Sequence, residues 1–196
     1  MKRRDRIKKY PFYGSLLLDR KEVIFVLEEA IKREYNVFEY GCGLATKFFS
    51  AYVNKWYSVE HDPAWAEKVK AASHHNTTIF TEELRDGKAS RFAEDKSSGW
   101  NDVLNSEYAK RYDRYIKAFS YVEDIDLVII DGRARTACAK YVYENMREHC
   151  KVIIHDWSRP WYKRCLESFE VVKELSPDEF GHTDPHIAIL QRGKDD

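Results

Sequence analysis

The sequence predicts an α/β domain built on a mostly parallel β-sheet, and three observations carry that prediction. Short apolar runs alternate with longer amphipathic ones along the chain, the order expected when strands alternate with covering helices. The run from Leu127 to Ile130 is continuously apolar, which suits a strand covered on both faces near the centre of such a sheet. A chain of 196 residues, 43% hydrophobic and 34% charged, is long enough for one full core and too polar to be a membrane protein.

The elements follow in order. Val23, Val26, Leu27, Ala30 and Ile31 recur at helical spacing over 19–34, with Asp19 available as a cap. Residues 36–40 read as a strand ending in Gly41-Cys42-Gly43, 44–53 as a helix, and 56–60 as a second strand. Pro63 suits the first turn of the next helix, where its missing N–H costs nothing. Residues 77–81 form a third, β-branched strand. From 82 to 120 the pattern loosens around many charges, Gly87, Gly99 and Trp100; such a segment is expected to be an insertion, lid or substrate region. A helix over 105–119 within it would carry Tyr108, Tyr112, Tyr115 and Phe119. The apolar strand 125–131, a helix over 135–148 and a strand over 151–156 come next. Residues 170–175 and 186–191 close the chain as an antiparallel pair.

Charge and cysteine usage exclude several function classes. Lys+Arg and Asp+Glu are 33 each, a net charge of zero, which argues against a nucleic-acid coat. The first ten residues hold six basic side chains and one acid. They read as a solvated arm or a contact for an anionic substrate or partner, and 10–15 as an N-terminal flap. No signal-type apolar segment follows them. The cysteines, at 42, 138, 150 and 165, show no C-x-x-C spacing, so a zinc site is not expected. A cytoplasmic, reducing setting is expected from that usage.

The strongest chemical signal is the segment 38–46, a strand, a glycine turn and a helix start. Glycines let a ligand approach the backbone closely. Seventeen residues after Gly43, Glu60 closes the second strand, where an acid in a Rossmann-type sheet accepts hydrogen bonds from ribose hydroxyls. A dinucleotide motif wants a third glycine where this chain has Thr46, and Glu39, two residues before Gly41, would repel a pyrophosphate. Glu39 suits the ammonium, and Thr46 the carboxylate, of an amino-acid tail. Adenosine joined to an amino acid without phosphate describes S-adenosylmethionine.

With FEYGCGLAT at 38–46, VEHD at 59–62 and VIIDGR at 128–133, the chain resembles the class I, Rossmann-like S-adenosylmethionine-dependent methyltransferases. The resemblance covers roughly 36–192, with 82–120 unmatched. It implies a doubly wound, seven-stranded sheet, mostly parallel with an antiparallel last strand, in one methyltransferase domain over 1–196 that includes an N-terminal arm and helix over 1–35. It also implies that Glu39, Gly41, Cys42, Gly43 and Thr46 surround the methionine moiety, that Glu60 binds the ribose, and that His61 lies against the adenine. Leu44-Ala45 after the second glycine departs from the family's commonest turn and makes the pocket bulkier.

Ligands in open α/β sheets bind outside the carboxyl ends of the strands, where Asp131 and Asp156 fall beside His155. Two converging carboxylates suit a Mg²⁺ or Mn²⁺ site, a layout similar to that of metal-dependent O-methyltransferases. Alternatively, His155 serves as a metal-free general base, oriented by either acid. Plain helix caps for the acids, and a hydrogen-bonded strand-end role for His155, are the structural alternatives. Arg133 and Arg135 suit pairing with strand-end acids or an anionic substrate. Trp157, Arg159 and Trp161 suit a sugar ring or planar acceptor. The expectation is methyl transfer to a hydroxyl of a small acceptor, a sugar or glycan. RNA methylation, an NAD(P)-linked oxidoreductase and a non-catalytic cofactor-binding protein stand as alternatives.

Overall fold

A computed structural model describes residues 20–84, 96–175 and 187–193. The expectations for the N-terminal arm, the 10–15 flap, the Asp19 cap, the 85–95 stretch and His186 lie outside those residues. Helix α1 (Arg20–Phe25) continues as a π turn (Val26–Ala30). It is followed by β1 (Asn36–Tyr40), α2 (Leu44–Phe49), β2 (Lys55–Glu60), α3 (Pro63–Lys70) and β3 (Thr77–Thr81). Short helices α4 (Glu107–Arg111) and α5 (Asp113–Lys117) precede β4 (Leu127–Ile130), α6 (Arg135–Asn145) and β5 (Lys151–His155). A 3₁₀ segment (Pro160–Glu167) leads to β6 (Phe169–Glu174) and β7 (Ile187–Arg192).

The seven strands form one sheet in the order β3-β2-β1-β4-β5-β7-β6. All neighbouring pairs are parallel except those made by β7. This is the doubly wound α/β architecture the sequence predicts. Its cause is visible in β1, where alternate residues feed opposite faces. Phe38 and Tyr40 pack with α4, α5 and α6, whereas Val37 packs with α1 and α2. Strand order reverses between β1 and β4, which opens a crevice at their carboxyl ends.

Several expectations differ from the structure, and the following have identifiable reasons. The first helix ends at Ala30, because the π turn carries Ile31 N–H to Val26 C=O and leaves Ile31 extended and buried. The helix expected over 105–119 breaks at Tyr112, whose backbone leaves helical geometry; Tyr112 and Tyr115 are both turned inward, edge to face at 6.1 Å. Instead of standing apart as a lid, the described part of the 82–120 segment supplies core. Trp100, Val103, Tyr112, Tyr115 and Ile116 are all buried.

The central strands meet through glycine. Gly41 takes φ +86°, and a Cβ there would sit 2.7 Å from Gly132 Cα. A Cβ on Gly132 would strike the Tyr115 hydroxyl and come within 2.8 Å of Gly41 N and Tyr40 O. Gly132→Ala is therefore expected to lower unfolding free energy by about 1–3 kcal/mol, read by urea denaturation. Adding Tyr115→Phe should recover only the part owed to the hydroxyl.

Candidate active site at the carboxyl edge of the sheet

The glycine turn is held from every side by its own chain. Gly41 N–H donates to Val59 C=O (2.9 Å), Cys42 N–H to Glu60 Oε2 (3.1 Å) and Gly43 N–H to Thr46 Oγ1 (2.8 Å). Thr46 Oγ1 in turn donates to Glu39 Oε2 (2.6 Å), which also accepts from Ser58 Oγ (2.6 Å) and Trp56 Nε1 (3.0 Å). Glu39 is 2% exposed, and burial pushes its carboxyl up to about 7 against the pull of those three donors. The structure thus sets Glu39 and Thr46 beneath the turn as its support. Ser58 and Trp56 were missed by the sequence reading. Their signal was the polar pair Glu39 and Ser58, which face each other across β1 and β2.

Glu60 is engaged at both oxygens. Its Oε1 accepts from the His61 and Asp62 amides (2.8 and 3.0 Å) and lies 2.6 Å from His61 Nδ1, while Oε2 holds Cys42. Burial would raise its pKa, but the His61 side chain and the Cys42 and Asp62 amides outweigh burial and leave it below the ordinary carboxylate value. The Cys42 thiol is pushed up, by burial first and by Glu60 second, so it is a neutral wall. Gly43 faces open space, with nothing within 4 Å of an added Cβ.

The second cluster joins the ends of β4 and β5. Arg135, buried on the first turn of α6, donates from Nε to Gly132 C=O, from one terminal nitrogen to His155 C=O and Asp156 Oδ2, and from the other to Asp131 C=O, each at 2.9 Å. It also lies 3.1 Å from Asp131 Oδ1. Two non-glycine residues with left-handed backbones, Ala134 (φ +51°) and Asp156 (φ +59°), sit in the turns it ties together. Such conformations persist only where surroundings hold them. His155 Nδ1 is 2.9 Å from Asp131 Oδ1, and Nε2 is 3.3 Å from Glu22 Oε1 on α1. Burial would lower the His155 pKa, but Asp131 and Glu22 overcome it and raise it to about 10. Asp131 responds oppositely: burial would raise its pKa, and His155 and Arg135 hold it below the usual value.

The structure brings Asp131, His155 and Asp156 together. Glu22 and the stapling role of Arg135 were missed by the sequence reading. Glu22 shares an i, i+4, i+8 stripe with buried Val26 and Ala30, so an acid on an apolar stripe was the available signal. A divalent metal does not fit the two aspartates as they stand. Arg135 bridges both of them, and Arg159 lies 2.8 Å from Asp156 Oδ2, so their charge is already matched by cations. Among the described residues, no group of three or more His, Cys, Asp or Glu side chains is arranged to hold a metal.

The other expected residues take different positions. Trp157 is fully buried, its Nε1 bonded to Glu174 and its ring under Lys163. Trp161 is half-buried, with Lys96 Nζ 4.3 Å and the Arg159 guanidinium carbon 6.0 Å from its ring centre. Arg133 donates its main-chain N–H to Tyr115 Oη at 3.3 Å. His61 stands 6.2 Å from the ring centres of both Tyr112 and Tyr115.

No family model and no curated protein matches the sequence. Solved structures do match. A methyltransferase-like protein from Silicibacter pomeroyi aligns at TM-score 0.58 and 22% identity over 90% of this chain and 87% of its own. A TehB-like SAM-dependent methyltransferase from Corynebacterium glutamicum aligns at 0.54 and 12% over 97% of each chain. What the chain shares with them is the Rossmann-like fold. MtNAS, crystallised with MTA and tNA, aligns at 0.55 and 11% over 97% of this chain, which spans only 64% of the length of MtNAS. At these identities the likeness is one of Rossmann-like methyltransferase fold.

Two outcomes test the cluster. Arg135→Met removes the cation between two carboxylates, and urea unfolding is expected to show a loss of about 3 kcal/mol or more. The His155 contribution has a definite sign. A folded value of about 10 against 6.5 unfolded means its stabilisation is complete below about pH 6.5 and is lost as pH rises through about 10. The stability gap between wild type and His155→Gln should narrow steadily over that window, and a gap independent of pH would contradict the assignment.

Proposed function

We propose that this chain is an S-adenosylmethionine-dependent methyltransferase that methylates a hydroxyl of a small acceptor. The observation that carries the cofactor reading is the spent glycine turn. Phosphate-binding loops present free amides to an anion. Here all three turn amides are committed, to Val59, Glu60 and Thr46, and two buried carboxylates flank them. That arrangement disfavours a pyrophosphate, and with it an NAD(P)-linked oxidoreductase. It accepts a nucleoside whose tail is a zwitterion. The open side of Gly43, the strand-end Glu60 for a ribose diol and the methyltransferase fold of the matched structures support the same reading.

When bound, the donor supplies a methyl group on a cationic sulfur. The chain supplies position and charge. Both side-chain contacts of Asp131, with His155 and Arg135, use Oδ1, which leaves Oδ2 to accept a hydrogen bond from the acceptor hydroxyl. That bond aims an oxygen lone pair at the methyl carbon. As the C–O bond forms, the attacking oxygen becomes far more acidic than a carboxylic acid, so even a carboxylate of depressed pKa can take its proton. His155, with both nitrogens engaged and its proton retained at neutral pH, is assigned as the electrostatic partner of Asp131 rather than as the base. The half-buried Trp161, with Arg159, supports a sugar or glycan ring as the acceptor. The cleft of about 500 Å³ beside Lys110, Arg111 and Arg114 also carries Glu83 and Asp113, and this mixed charge does not favour RNA.

Calorimetry with S-adenosylhomocysteine tests the binding half. Glu60→Ala should weaken affinity by about tenfold or more, since hydrogen bonds to a charged group contribute ~1.5–3 kcal/mol each. Methyl transfer from labelled donor to a panel of sugars and phenols tests the chemistry. Asp131→Asn should lower turnover by about 10²–10⁴ with S-adenosylhomocysteine affinity kept. A donor that binds but is never used by any acceptor would mark a non-catalytic binding protein.

A further inference from the structure

Resting on that methyltransferase reading, we propose that the acceptor is anionic, a hydroxylated ring bearing a carboxylate or phosphate, and that Arg133 receives its acid group. Arg133 lies two residues beyond Asp131, past the carboxyl end of β4, where the crevice opens. Its main chain is fixed on both sides. The N–H donates to Oη of buried Tyr115 at 3.3 Å, and the C=O accepts from Sγ of buried Cys138 at 3.5 Å. Gly132 before it lies close against Gly41, and Ala134 after it holds a left-handed turn. The side chain is half-buried, yet among the described residues its guanidinium makes no ion pair, hydrogen bond or ring contact.

The charges beside it are already matched. Glu22, Asp131 and Asp156 face Arg135, Arg159 and the protonated His155, each acid within 3.3 Å of one of these cations. Arg133 is the cation left over, and the sulfonium of a donor would add a second positive charge to the same edge. A half-buried charge is unfavourable until an opposite one reaches it, and a neutral acceptor brings none. The guanidinium fork matches a carboxylate or phosphate through two parallel hydrogen bonds. The aromatic side of the site points the same way. Lys96 Nζ and the Arg159 guanidinium carbon lie 4.3 and 6.0 Å from the ring centre of Trp161, so a ring seated there also meets positive charge. Held at Arg133 by its acid group, such an acceptor can turn a hydroxyl towards Asp131.

The test uses the whole chain, calorimetry and methyl transfer from labelled donor, with thermal melting to check folding. The probes are matched sets: glucose against glucuronate and glucose 6-phosphate, and catechol against protocatechuate. Binding is read with and without S-adenosylhomocysteine. Wild type should favour an acid over its neutral counterpart by about tenfold or more in Kd or KM, and the better acid separates carboxylate from phosphate. Arg133→Gln should erase that preference through KM rather than kcat, because the acid group is held equally before and during reaction, with S-adenosylhomocysteine affinity kept. Arg133→Lys, which keeps the charge and loses the fork, should retain part of the preference. An Arg133 that merely supports the fold would weaken acidic and neutral probes alike, and that result overturns the inference. So does a wild type that treats matched probes equally or binds no acid. Acids that bind through Arg133 in a protein that does not bind S-adenosylhomocysteine would uphold the anion site and overturn the cofactor reading alone.

Discussion

The carboxyl edge of this sheet depends on one buried guanidinium. Arg135 touches the main chain after β4 at Asp131 and Gly132 and at the end of β5 at His155, and it touches both aspartate side chains. Without it, two carboxylates would face each other across adjacent strand ends, and two left-handed turns would lack a common anchor. A planar group with five donors can make these contacts from one position, which a lysine cannot. Its charge then organises its neighbours: Asp131 stays ionised, and His155, between Asp131 and Glu22, stays protonated.

The same logic of saturation runs through the glycine turn. Every amide there has an acceptor and both flanking acids have donors. A site built this way discriminates by what it refuses. None of the three turn amides is left free to receive a phosphate. The two halves of the edge meet at Gly41 and Gly132, whose backbones approach closely, so the glycine turn and the Asp131 cluster form one continuous rim.

Much of this was legible in the chain. Apolar runs marked the strands, and the glycine turn between a strand and a helix marked the crevice. Glu60 and Asp131 were legible as strand-end acids because strand ends in such a sheet face the ligand. Contacts were not legible. Glu39 reads in sequence as a ligand residue and lies in the fold beneath the turn, because Ser58 and Trp56 arrive from the neighbouring strand. Trp157 reads as a binding aromatic and is buried, since a residue just past a strand end can turn inward as readily as outward.

By itself, then, the sequence determined the α/β alternation, the order of the elements and which strand ends carry acids, since these follow from local periodicity and turn chemistry. Only tertiary structure decided the protonation of His155, the neutralisation of the paired aspartates and the exposure of Trp65. Each depends on a partner that is distant in the chain: Glu22 lies 133 positions from His155, Arg135 lies 21 from Asp156 and Cys42 lies 23 from Trp65, and no local pattern encodes such distances.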